Sequence, residues 1–240
     1  MAEAIVVSSQ SLLPATLAAG EHHLLLTTAT SVIELAIHVP SVQAVGLALV
    51  CHPHPLMGGT FDNKVVTTLA RTFRDQRLMA IRFNFRGVGA STGQFDHGQG
   101  EQDDALVVMR WAQQQFQLPW RLLAGFSFGA FVALRVHTAL ASNSTVEPPP
   151  LPRLCLVAPP VTRFDLSAAS LVEGTEVIYG DADEVVDPQA IAQWLLAAGA
   201  GVRITTVPGA GHFFHGQLAV LKGWAQRVCE KLMDASEEQR

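Results

Sequence analysis

The pentapeptide Gly125-Phe126-Ser127-Phe128-Gly129 restricts this chain more than any other stretch. It follows a short apolar run, Arg121-Leu122-Leu123-Ala124, and precedes Ala130 to Val136, which is apolar almost all round. A buried strand, a sharp turn and a buried helix satisfy that order, with a serine at the apex. Such a turn forces dihedrals that side chains resist, and the two glycines relieve the crowding. A chain of ordinary glycine and serine content holds this pattern by chance roughly one time in ten. Context has to decide whether it is more than a glycine-rich turn.

The context is a regular alternation. Two strands, His23–Thr27 and Val32–Val39, are separated by polar Thr28–Ser31 and predict a hairpin. A continuous apolar run at residues 44–51 is the mark of a strand buried on both faces, and further strands are read at 79–85, 154–158, 176–179 and 202–207. Helical spacing lies between them: Asn63–Arg77, a helix opened by Asp103 and Asp104, and one capped by Asp187 before Pro188 and stopped at Gly199. A final helix from Leu218 carries Leu221, Ala225, Val228 and Leu232 on one face. Strands alternating with helices predict an α/β fold with a mostly parallel sheet covered on both sides. Residues 21–240 read as one domain behind a loosely ordered arm, 1–20. A triple proline, Pro148–Pro150, marks a connector.

Composition limits the function classes. The 240 residues are 49% hydrophobic and 15% charged, with a net charge of −5 and no basic cluster of the kind nucleic acid requires. No apolar run reaches membrane-spanning length, and the amino terminus lacks the basic start and apolar stretch of a signal peptide. Cys51, Cys155 and Cys229 have neither paired nor metal-like spacing, so free thiols in a cytoplasmic protein are expected.

A serine hydroxyl needs a base to act as a nucleophile, and the base needs an orienting carboxylate. In doubly wound sheets such groups gather just past the carboxyl ends of strands. Two later strands end in suitable loops, Gly180-Asp181-Ala182-Asp183-Glu184 and Gly209-Ala210-Gly211-His212-Phe213-Phe214-His215. The order serine, acid, histidine is the one this architecture uses. Asp183 is favoured as the acid, because Asp187 has a capping role, Asp181 sits close to the strand end, and Glu184 should point away from Asp183. His212 is favoured as the base, with His215 the alternative. An oxyanion hole would take the N–H of Phe128 and one from the loop His54 to Met57, Leu56 being preferred since prolines cannot donate. Met57, Phe213 and Phe214 are candidate substrate-binding walls, whereas Phe126 is expected in the core. His52 and His54 sit at metal-like spacing but lack further ligands nearby, so neither metal nor cofactor is expected.

These residues together resemble the α/β-hydrolase superfamily. The chain is similar in particular to small bacterial hydrolases with a His-Pro-His-Pro loop, of the dienelactone-hydrolase-like kind. The likeness covers about residues 30 to 235 and is carried by five stretches. These are His52-Pro53-His54-Pro55-Leu56-Met57-Gly58-Gly59-Thr60, Asn84-Phe85-Arg86-Gly87-Val88-Gly89-Ala90-Ser91, the serine turn, Gly180 to Asp183, and Gly209 to His215. The resemblance implies a Ser127–His212–Asp183 triad; true dienelactone hydrolases carry cysteine where Ser127 stands. Only fifteen residues, Val161–Thr175, lie where many relatives insert a cap domain, so an open site is expected. The expected activity is hydrolysis of small or exposed carboxylic esters. A thioesterase, amidase or peptidase would use the same triad, and a non-catalytic binding protein is the alternative of another class.

Overall fold

The computed structural model describes residues 5–8, 17–143, 151–166, 171–198 and 201–237. Among these described residues nine strands form a single sheet in the order β1-β2-β3-β5-β4-β6-β7-β8-β9. They are β1 (Ile5–Ser8), β2 (Gly20–Thr27), β3 (Val32–Val39), β4 (Gly46–Cys51), β5 (Leu78–Phe83), β6 (Trp120–Phe126), β7 (Arg153–Val157), β8 (Glu176–Gly180) and β9 (Arg203–Val207). The expected hairpin is β2 and β3, paired antiparallel from Thr27 opposite Val32 to Gly20 opposite Val39. β3 also runs antiparallel to β5, and every pair from β5 across to β9 is parallel.

The apolar runs form the central strands because both sheet faces are covered there, while β9 at the edge is exposed along most of its length. Along β4, Leu47, Leu49 and Cys51 face one core while Ala48 and Val50 face the other, the two-residue period of a strand expressed as two interiors. The first core is closed by α2 (Gln99–Phe116), α3 (Phe128–Ser142) and α4 (Pro188–Ala197). The second is closed by α1 (Lys64–Asp75) and α5 (Leu218–Glu237), which pack against each other.

Side-chain bonding sets several element ends. Asn63 Oδ1 accepts the Val65 N–H at the start of α1, and Asp187 Oδ1 accepts Gln189 N–H before Pro188, the capping role expected of it. The start of α2 differs from the expectation. It begins at Gln99, and Glu101 caps it by reaching back to the N–H groups of Gly98 and Asp96. Asp104 instead grips Arg86, accepting from its backbone N–H (3.0 Å) and its guanidinium (2.8 and 3.1 Å). Ile5–Ser8, expected within a loose arm, pair as a strand with β2. Residues 1–4 and 9–16 of that arm, the triple proline and Gly199 lie outside the described residues.

The topology also creates a crevice. From β4 the chain passes to β5 on one side, and after α2 it returns to β6 on the other. Loops leaving the carboxyl ends of β4 and β6 therefore diverge at this point, where open α/β sheets bind ligands. The histidine-proline loop and the serine turn leave from these two strand ends.

Candidate active site

Ser127 joins β6 directly to α3, with φ 54° and ψ −121°. Few non-glycine residues adopt that backbone, and its neighbours over-determine it. Ser127 N–H is held by Val157 O at the end of β7 (2.9 Å). A Cβ on Gly125 would collide with the Gly129 carbonyl, and one on Gly129 with the carbonyl oxygens of Cys51 and His52. The glycines thus permit close approach of three backbone segments, which lifts the serine above the sheet.

His212 Nε2 lies 3.0 Å from Ser127 Oγ, and His212 Nδ1 lies 2.7 Å from Asp183 Oδ2. A carboxylate only accepts, so in the neutral ring Nδ1 carries the proton and Nε2 is left to accept from the serine hydroxyl. The other Asp183 oxygen accepts the N–H groups of Val185 and Val186, both at 2.8 Å. Burial works against the Asp183 carboxylate. The bond from His212 and those two N–H groups outweigh it and hold its pKa below the ordinary value.

The remaining acids hold the scaffold. Asp181 accepts Gly209 N–H (2.6 Å), tying the β8 loop to the histidine loop. Glu184, expected only to point away from Asp183, accepts the His212 backbone N–H (3.1 Å). It fixes His212 from behind, and a Cβ on Gly211 would stand 2.6 Å from its carboxylate. His215 is outside the constellation, exposed and stacked on Phe213 at 5.7 Å. Phe126 is fully buried, with its ring 5.0 Å from His212, so it supports the imidazole from the core.

The cleft holding Ser127 has a volume of about 330 Å³. Phe128, Met57 and Phe213 line it, as expected; Met57 (76% exposed) and Phe213 (37%) stand open to solvent. Phe214 does not line it. With φ 53° it turns inward and is fully buried under α5, so of two adjacent aromatics one faces the cleft and the other the core. Leu56 is also corrected. Residues 55–57 form a short 3-10 turn in which Leu56 N–H is taken by His54 Nδ1 (3.2 Å) and its side chain points outward, 71% exposed.

The two loop histidines are placed by their neighbours. His52 is fully buried; its Nδ1–H donates to Pro53 O (2.6 Å) and its Nε2 accepts Phe85 N–H (3.0 Å). His54 packs among Phe95, Phe128 and Phe164, with ring centroids 4.8, 5.0 and 6.0 Å away. Among the described residues no group of His, Cys, Asp and Glu side chains is placed to hold a metal ion. Phe95, Phe164 and Arg163 join this wall unanticipated, because they lie in loops without periodicity.

No family model matches the chain. Known structures do. A serine hydrolase from Xanthomonas campestris, described as an α/β serine hydrolase without a lid, is 38% identical, with a TM-score of 0.81 over 92% of this chain and 97% of that one. An α/β serine hydrolase homologue from Coxiella burnetii is 34% identical, with a TM-score of 0.78 over 88% of this chain and 99% of that one. An uncharacterised protein of Rickettsia prowazekii is 34% identical over 179 residues, 70% of this chain and 71% of its own length. A strand-to-helix turn with serine at its apex, on a lidless sheet matched at this identity over nearly the whole chain, places the protein among the α/β serine hydrolases.

Proposed function

We propose that the protein hydrolyses small or exposed carboxylic esters through an acyl-enzyme, with Ser127 as nucleophile, His212 as base and Asp183 as orienting acid. The observation that carries this reading is the unbroken hydrogen-bonded line from Ser127 Oγ through His212 to Asp183. Ser127 Oγ attacks the ester carbonyl as its proton passes to His212 Nε2. The tetrahedral oxyanion then collapses, and His212 returns that proton to the departing alcohol. Water, deprotonated by the same nitrogen, attacks the acyl-enzyme, and the second tetrahedral intermediate breaks its bond to Ser127 Oγ, which takes the proton back from His212 as the acid leaves. Asp183 keeps the imidazole in the required tautomer and stabilises its charged form.

Phe128 N–H, at the first turn of α3, supplies one oxyanion donor. With Leu56 N–H spent on His54, the second donor is reassigned to His54 N–H, since His54 lines the cleft and its N–H has no partner among the described residues. The kinship with His-Pro-His-Pro hydrolases belongs to the same reading, as does a cytoplasmic setting. Cys51, Cys155 and Cys229 are buried and free, with burial pushing each thiol well up. Among the described residues no helix is long and apolar enough to cross a membrane.

A neutral fluorophosphonate should label Ser127, and p-nitrophenyl esters should be turned over faster with short acyl chains than with long ones. A folded protein that leaves Ser127 unlabelled would move the non-catalytic reading to the front. Preference for long chains would sink the open-site reading.

A further inference from the structure

We propose that the cleft beside Ser127 selects esters whose acyl group carries a carboxylate, and that Arg163 is the side chain that binds it. This rests on the hydrolase reading above and names its substrate class. Among the residues lining the cleft Arg163 is the one cationic side chain besides the histidines, and no aspartate or glutamate lines it. The remaining wall is mostly Pro, Gly, Val, Met and Phe. Elsewhere Arg74, Arg82, Arg86 and Arg203 each hold a carboxylate of the protein. Arg163 has no such partner among the described residues. The planar fork of a guanidinium fits a carboxylate with two parallel bonds, which a single lysine charge does not offer.

Arg163 is exposed at the cleft mouth, and the backbone that carries it is held by its neighbours. Arg163 N–H and Phe164 N–H both donate to Pro160 O, at 3.0 and 3.2 Å. The Phe164 ring stacks on Phe131 at 4.8 Å and lies 5.2 Å from Phe128, next to the serine. The arginine therefore hangs from a turn anchored into the same aromatic wall that borders Ser127. The net charge of −5 would repel an anionic substrate in general, so local attraction has to come from a side chain in the cleft. One guanidinium without a second lysine or arginine matches a single carboxylate better than a doubly charged phosphate.

The test compares mono-p-nitrophenyl glutarate with p-nitrophenyl valerate, which have acyl chains of equal length ending in a carboxylate or a methyl. Arg163→Gln should lower the ratio of their kcat/KM values about tenfold, the size of one charge-assisted contact. Arg163→Lys should restore part of the ratio, and added salt should erode it in the wild type but not in Arg163→Gln. An unchanged ratio in Arg163→Gln means a solvated surface arginine and overturns the proposal. Binding is read separately by calorimetry with monomethyl glutarate on Ser127→Ala, with and without Arg163→Gln. Equal affinities overturn the carboxylate reading even where no ester is cleaved. Failure of Ser127 to label with the neutral fluorophosphonate overturns the hydrolase reading alone.

Discussion

His52 and His212 occupy similar places: each is buried in a loop just past the carboxyl end of a parallel strand, and each uses both ring nitrogens. The difference lies in what the nitrogens meet. Both partners of His52 are backbone groups, a carbonyl and an amide, so the ring is a fixed bridge between the loops after β4 and β5. The partners of His212 are a carboxylate and a hydroxyl. That is the pairing the proposed mechanism requires of its base. Burial pushes the pKa of His52 down to about 3, despite the bond to Pro53 O that works the other way. A histidine in a loop is therefore classified by its partners, and its loop position alone says little.

The sharpest way to break the comparison is to remove each ring. His212→Ala should lower kcat/KM for a p-nitrophenyl ester by roughly 10⁴-fold or more, with a smaller loss of stability than the same change at His52. His52→Ala should cost about 2–4 kcal/mol in urea unfolding, because it opens a cavity and strands the Phe85 amide. Its activity per folded molecule should fall far less than that of His212→Ala. If His52→Ala proved inactive while folded at wild-type stability, its bridging role would be wrong.

A pH series sharpens the same point. His38 is also pushed down to about 3, by burial first and then by Arg82, whose Nε–H donates to His38 Nε2 at 2.8 Å. Folded, both rings stay neutral; unfolded, each binds a proton below about pH 6.5. The unfolded state then holds more protons, so stability is complete above about pH 6.5 and falls as pH drops toward 3. These two rings contribute a slope approaching ~2.8 kcal/mol per pH unit, two protons at ~1.4 each, to which His54 and His137, also lowered by burial, add. Urea midpoints between pH 7 and 4 measure it, and His52→Gln should remove about one proton from the slope. An unaltered slope would show that His52 titrates normally.

The smallest effect belongs to His215, the alternative base at the sequence level. His215→Ala should change kcat/KM by less than about twofold, measured on the same ester. A loss comparable to that of His212→Ala would transfer the base assignment to His215.

How legible these features were in the sequence follows from the range of the forces that make them. β4 through β8 could be read as apolar runs because a strand buried on both faces has no polar side to hide it, whereas the edge strand β9 is exposed along most of its length. Ser127, Asp183 and His212 could be read from strand ends and chain order, and the structure brings the three together. Leu56 could not, because which N–H a loop leaves free depends on where the His54 ring turns. Phe214 could not, because Phe213 and Phe214 are alike as residues and differ only in backbone dihedral. The start of α2 was hidden for a related reason: its cap comes from Glu101 inside the helix, while Asp104 is engaged by Arg86 from another loop. Each miss is a contact between segments that share no local pattern.

The backbone at Ser127 has a consequence for how catalysis and robustness trade against each other. A non-glycine residue held at φ 54°, ψ −121° costs on the order of 1–3 kcal/mol, a sizeable share of what keeps a domain folded. Ser127→Gly should therefore yield a dead enzyme that melts later than the living one. Robustness and chemistry pull opposite ways at this one residue, and a lineage released from the need to hydrolyse anything would be free to settle on glycine there.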